Sequence, residues 1–160
     1  MRTTSSLTLA LLLACAALHP GGASAQASTS LGAGLAVPLG DFGDFAGTGY
    51  TIRGQAGLSL VLADIHVQAG WSHFPGEDAT VAGETVSGEG ADIFHTGVGA
   101  RLGLGLLWVG ANAAYFFGDG DDGIGIFPEV GLGLGPLEVV GDVRIDGDAK
   151  WAAIRGALKF

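Results

Sequence analysis

Ser72, His73 and His95, with the carboxylates Glu89 and Asp92 nearby, are the residues whose types permit general-base or nucleophilic chemistry. A hydroxyl acts as a nucleophile at neutral pH only with a base in hydrogen-bond reach. In an extended segment neighbouring side chains point to opposite faces, so His73 is badly placed to activate Ser72. His95 reads as a histidine packed inside the fold. The spacing of these residues fits no catalytic motif, and the expectation is a protein without enzymatic activity. The glycine repeats are not phosphate-binding loops either, since they interrupt apolar alternation instead of joining a strand to a helix.

A second set of residues is electrostatic. Arg53, Arg101, Glu129, Glu138, Asp142, Arg144, Arg155 and Lys159 all fall opposite the apolar positions of their segments. If the apolar face meets lipid, these charges must turn inward, because a basic residue at the bilayer midplane costs about 2 to 4 kcal/mol. Inside a narrow barrel they pair or find water. The expected result is a lumenal salt-bridge network, with a narrow pore for small solutes or ions as the alternative.

The other acids gather between the apolar segments: Asp41 and Asp44, then Glu77, Asp78, Glu84, Glu89 and Asp92, then Asp119, Asp121 and Asp122, then Asp146 and Asp148. The plain reading is a hydrated rim. Hard oxygen ligands also suit calcium or magnesium, which makes Glu77, Asp78, Glu84, Glu89 and Asp92 candidates for binding divalent cations or an extracellular protein. Whether a metal binds stays open at this point. The formal charge of −9 makes nucleic acid an improbable partner, and no cofactor is implied.

The elements that must position these groups are strands. Leu31, Ala33, Leu35, Val37 and Leu39 alternate with Ser30, Gly32, Gly34 and Ala36; Tyr50, Ile52, Ala56, Leu58, Leu60 and Leu62 alternate with Thr51, Arg53, Gln55 and Gly57. The same period of two continues in Ile65 to Trp71, Phe94 to Leu104, Val109 to Phe117, Ile124 to Leu134, Leu137 to Ile145 and Ala152 to Phe160. Eight such segments, most near the 9 to 11 residues that a tilted strand needs to cross a bilayer, predict a closed antiparallel transmembrane barrel.

Connection lengths alternate in support. Ala63-Asp64, the region of Leu106 and Leu107, and Gly135-Pro136 read as tight turns, whereas 40–49, 75–92, 118–123 and 146–149 are longer loops. The 30 glycines disfavour long helices, and past residue 25 no apolar run is long enough for a helical span. A soluble barrel would bury the apolar face and carry dense charge on the other; here the other face is rich in Gly. Tyr50, Trp71, Trp108, Tyr115, Phe117 and Phe160 fall near segment ends, where interfacial aromatic girdles are expected.

Residues 1–25 read as an export signal: Arg2, an apolar stretch from Leu7 to Leu18, then Ala23-Ser24-Ala25 as the cleavage site. The barrel domain would then be 26–160. A rival reading takes Leu12-Leu13-Ala14-Cys15 as a lipoprotein box with Cys15 lipidated. Cys15 is the single cysteine, so cleavage after Ala25 leaves no disulfide or cysteine metal site.

Leu31 to Leu39 followed by Gly40-Asp41-Phe42-Gly43, and the ending Ala152 to Phe160, resemble the outer-membrane β-barrel family related to the OmpA transmembrane domain and the OmpX-type small barrels. The resemblance covers nearly all of 26–160. It implies a bacterial cell outer membrane location, contact with lipid and lipopolysaccharide, and recognition of Ile154, Leu158 and Phe160 by the barrel assembly machinery. It further implies a structural or adhesion-type surface-binding role, and a porin-like or lipid A-modifying role less readily. With the sequence ending at Phe160, the cell-wall-binding domain attached to some relatives is expected to be absent. Thr80-Val81-Ala82 and Glu84-Thr85-Val86, flanking Gly83, are expected to extend the third and fourth strands as a protruding hairpin.

Overall fold

The computed structural model describes residues 26–60, 63–81, 84–119, 122–145 and 147–160. The expected export signal, Cys15, Leu62, Ala82, Gly83, Asp121 and Asp146 lie outside the described residues. The barrel strands are β1 (Gln26–Leu39), β2 (Gly49–Ser59), β3 (Ala63–Phe74), β6 (Ala91–Leu104), β7 (Leu107–Gly118), β8 (Gly123–Leu134), β9 (Leu137–Arg144) and β10 (Lys150–Lys159). A short hairpin, β4 (Ala79–Val81) and β5 (Glu84–Val86), stands between β3 and β6. The barrel closes in the order β1-β10-β9-β8-β7-β6-β3-β2, all neighbours antiparallel, with β1 paired to both β2 and β10.

Closure satisfies the backbone of the barrel, since none of its eight strands is left with an open edge. The alternating sequence then decides which residues face outward. Leu35 pairs with Ile154 of β10 and Tyr50 of β2, and Leu31 pairs with Leu158. All of these are on the outside, with Leu31 56%, Leu35 58%, Val98 58% and Ile154 59% exposed. On the opposite parity Arg53, Gln68, His95, Asn112, Glu129 and Asp142 are buried. This barrel is therefore turned inside out relative to a soluble protein: polar within, apolar without.

Two turns use the same device. Gly105 and Gly135 each open a two-residue loop at positive φ, 81° and 72°, joining Leu104 to Leu107 and Leu134 to Leu137. Glycine at the first loop position matches the hairpin geometry that follows strand twist. The turn expected at Ala63-Asp64 is displaced. Both residues begin β3, Asp64 pairs with Ser59, and Leu60 N–H donates to the Ala63 carbonyl at 2.7 Å. The apolar run through Leu62 mimics a longer strand, but register with Ser59 puts the reversal after residue 60.

The long loop is also corrected in part. β4 and β5 pair with each other, Ala79 with Val86 and Val81 with Glu84, as a separate two-stranded sheet that does not continue β3 and β6. Its base is held elsewhere. Ala46 bridges Gly76, Gly47 N–H donates to the Pro75 carbonyl at 2.8 Å, and Glu77 N–H donates to the Phe45 carbonyl at 3.1 Å. The first loop, with its 3-10 turn Gly40–Asp44, is thus clasped to the longest one.

Candidate functional site

The lumen is built in layers. Near the short turns, Arg101 Nε donates to Glu129 Oε1 at 2.8 Å, its Nη2 to Gln55 Oε1 at 2.6 Å, and its Nη1 lies 3.6 Å from Glu138 Oε2. Lys159 Nζ reaches Glu138 Oε1 at 3.1 Å. At mid-height Arg53 spans Glu129 Oε2 and Asp142 Oδ1, each at 3.4 Å, while Arg155 pairs with Asp142. The eight charges singled out in the sequence are all on the inside, and seven of them join this one network. The eighth, Arg144, lies apart near the loops, its guanidinium 3.7 Å from the Phe116 ring centre and 5.0 Å from that of Trp151.

Arg144 marks a layer that charge patterning alone missed. Phe74, Phe116, Phe127 and Trp151 are buried side chains in contact at ring separations of 5.3 to 5.8 Å, and Phe42 of the 3-10 turn stands edge-on over Phe74 at 4.9 Å. The signal was parity: Phe116 shares the face of Asn112 and Ala114, and Phe127 that of Glu129. Trp108 is corrected by the same rule. It was expected in an interfacial girdle, yet it is only 7% exposed and lies under the Arg101 guanidinium, 4.0 Å from its ring centre. Cation–π contact and burial suit an indole sharing the parity of Gly110.

Glycine makes room for these rings. A Cβ at Gly131 would overlap the Trp108 indole, and one at Gly70 would sit 2.7 Å from His95 Nε2. The Gly-rich inner face is thus a consequence of large side chains filling a small lumen. What space is left among the polar groups is water-sized, with voids of about 20 Å³ and 10 Å³.

No protein-family model matches the chain, and no curated protein matches it. Among solved structures it is similar to Neisserial surface protein A (NspA), with 12% identity, a TM-score of 0.47, and coverage of 85% of this chain and 97% of that one. It is also similar to a porin refined at 1.8 Å resolution, with 14% identity, a TM-score of 0.33, and coverage of 89% and 54%.

Geometry separates the residues with catalytic potential. Ser72 is buried and its Oγ donates to Thr51 Oγ1 at 3.0 Å, facing the lumen. His73 faces outward, its Nδ1 2.9 Å from Asp92 Oδ1, an oxygen that also accepts from Trp71 Nε1 at 2.9 Å. His95 is held inside between Phe116 and Phe127. Ser72 and His73 therefore do not meet. Asp92, expected among the loop carboxylates, belongs to β6 and pairs with His73 of β3, so it is a rim strand residue already occupied by two donors.

The remaining loop candidates are spread out. Glu77 packs over Gly47, Asp78 and Glu89 are exposed, and Glu84 opens β5. Among the described residues no group of three His, Cys, Asp or Glu side chains is gathered to hold a metal ion. A cleft of about 620 Å³ lies between the first loop and the connections after β7 and β9, with Phe42 and Phe45 beside Asp41, Asp119, Asp148 and Lys150. Ile154, Leu158 and Phe160, the expected assembly signal, form an exposed apolar row along β10 and its end.

Proposed function

We propose that this chain is an outer-membrane β-barrel with a closed lumen, serving a structural or surface-binding role through its acidic loop face. The observation carrying the proposal is the exposed apolar belt around a barrel whose mid-strand charges, Arg53, Arg101, Glu129, Glu138, Asp142, Arg144 and Arg155, turn inward. In water, such a belt would drive aggregation; in a bilayer it matches lipid, and closure leaves no backbone group unsatisfied. The longer connections, with their carboxylates, then face outside and the short turns face the periplasm. The resemblance to OmpA- and OmpX-type barrels supports the same placement, with Ile154, Leu158 and Phe160 presented to the assembly machinery.

The partners proposed are lipid and lipopolysaccharide around the belt, and an extracellular protein or bridging divalent cations at the loops. The free edges of the β4–β5 hairpin can accept an added strand. Cell fractionation with comparison of boiled and unboiled electrophoretic migration tests the placement. Recovery in the outer-membrane fraction with a faster unboiled form is expected; soluble protein with a single mobility would overturn it.

A further inference from the structure

We propose that the short-turn end of the barrel is itself a lipid-contacting surface, its turn tips seated at the acyl-chain boundary of the periplasmic leaflet instead of projecting into water. This rests on the outer-membrane reading above and goes beyond it, because that reading asks only that the turns face the periplasmic side. The three short connections are Leu104-Gly105-Leu106-Leu107, Leu134-Gly135-Pro136-Leu137 and, in sequence, Leu60-Val61-Leu62-Ala63. None holds a polar side chain. Tight turns in water favour Asn, Asp or Ser beside Gly, and all four longer connections at the other end carry carboxylates. Leu104 and Leu106 are 67% and 66% exposed, more than most residues of the belt.

The turn leucines continue the lipid-facing belt without a break. Leu104 pairs with Leu107, Leu107 with Leu132, and Leu134 with Leu137. At the loop end of the same strands Trp71 pairs with Phe94 and Phe94 with Phe117, an outward aromatic row of the kind found at headgroup level. Ten residues separate Phe94 from Leu104, and ten separate Phe117 from Leu107. At about 3.3 Å per residue and a tilt of about 40°, each stretch rises about 25 Å, the height of the apolar band itself. With the aromatic row at the outer headgroups, the turn leucines come level with the far hydrocarbon boundary, and no polar residues follow to carry the turns into water. The charges of this end are recessed inside the leucine ring: Asp64, Arg101 and Lys159 line the void of about 20 Å³ at the barrel mouth, and Lys159 reaches Glu138. On the outward parity Thr29, beside Phe160, is polar but uncharged.

A tryptophan placed at the turn tip reads its surroundings. Leu106→Trp, in a Trp71→Phe background, is reconstituted in phosphatidylcholine vesicles whose acyl chains are brominated either near the headgroup or at mid-chain, and separately in plain vesicles prepared in potassium iodide so that both faces meet the salt. The added emission is expected to be lost mostly to bromine near the headgroup and hardly to iodide, with Asp148→Trp in the loops giving the reverse. Iodide quenching of Leu106→Trp equal to that of Asp148→Trp would overturn the proposal in favour of turns in water, and protection from both quenchers would overturn it in favour of a second copy covering this end. Val98→Trp, at mid-belt, separates the two readings: if mid-chain bromine fails to quench it, the membrane placement itself falls, and the proposal with it. Leu134→Trp repeats the measurement on the second turn and decides the matter if Leu106→Trp does not fold.

Discussion

Arg101 and Glu129 join β6 to β8 across β7, their Nε to Oε1 hydrogen bond of 2.8 Å passing over Gly110, which pairs with both residues in the sheet. A Cβ at Gly110 would lie 2.9 Å from Arg101 Cγ and 3.2 Å from Glu129 Oε1, and 2.7 Å from the Ala100 carbonyl oxygen. The absent side chain is what lets the two charges meet.

Removing one partner should therefore be severe. Glu129→Gln leaves Arg53 and Arg101 buried with an uncharged neighbour, and a loss of about 3 to 5 kcal/mol is expected. Urea unfolding of the barrel in lipid vesicles measures it. Gly110→Ala should destabilise in the same assay without changing any charge, and wild-type stability in both variants would show the network to be dispensable.

The aromatic layer should matter for stability more than for conductance. Phe116→Ala is expected to cost about 3 to 5 kcal/mol, as for other large buried rings. If the lumen is closed as proposed, planar bilayers containing wild type, Phe116→Ala or Arg144→Ala should nonetheless stay electrically silent, because the Arg101–Glu129 pair still spans the interior. Stepwise conductance in the wild type would sink the closed-lumen reading.

Tryptophan environment checks the two faces directly. Trp71 lies on the outer parity, while Trp108 and Trp151 are 7% and 1% exposed inside. Brominated lipid should quench Trp71 emission alone. Trp71→Phe is expected to remove most of the quenchable signal and Trp108→Phe none of it; the reverse result would place Trp108 in the interfacial girdle after all.

Deletion within the longest loop tests the surface role. Removing residues 79–86 takes out the hairpin and spares the Ala46–Gly76 bridge below it. Folding and membrane insertion should be unaffected, and any cation-dependent binding of whole cells to a surface should disappear. Undiminished binding, or failure of the barrel to assemble, would refute a role confined to the hairpin.

Strand alternation made the barrel legible, since a single residue of register slip would throw Arg53, Glu129 and Arg155 into contact with the outer face. It also placed every network charge on the inside. Less legible were the groups whose chemistry suits either face. Trp108 near a strand end looks interfacial by residue type, and Phe74, Phe116, Phe127 and Trp151 look like any apolar residues; only their parity relative to Asn112 or Glu129 distinguishes them. The hairpin of β4 with β5 was legible in its two alternating runs, but its separation from β3 and β6 was not, because local alternation does not fix where a ladder breaks off.

The clasp between Ala46 and Gly76 welds two stretches distant in sequence into one continuous display. An antibody that recognises that face on living cells should consequently read both loops at once. Immunisation with a linear peptide copied from either loop is expected to yield sera that bind the denatured chain and pass over the folded protein.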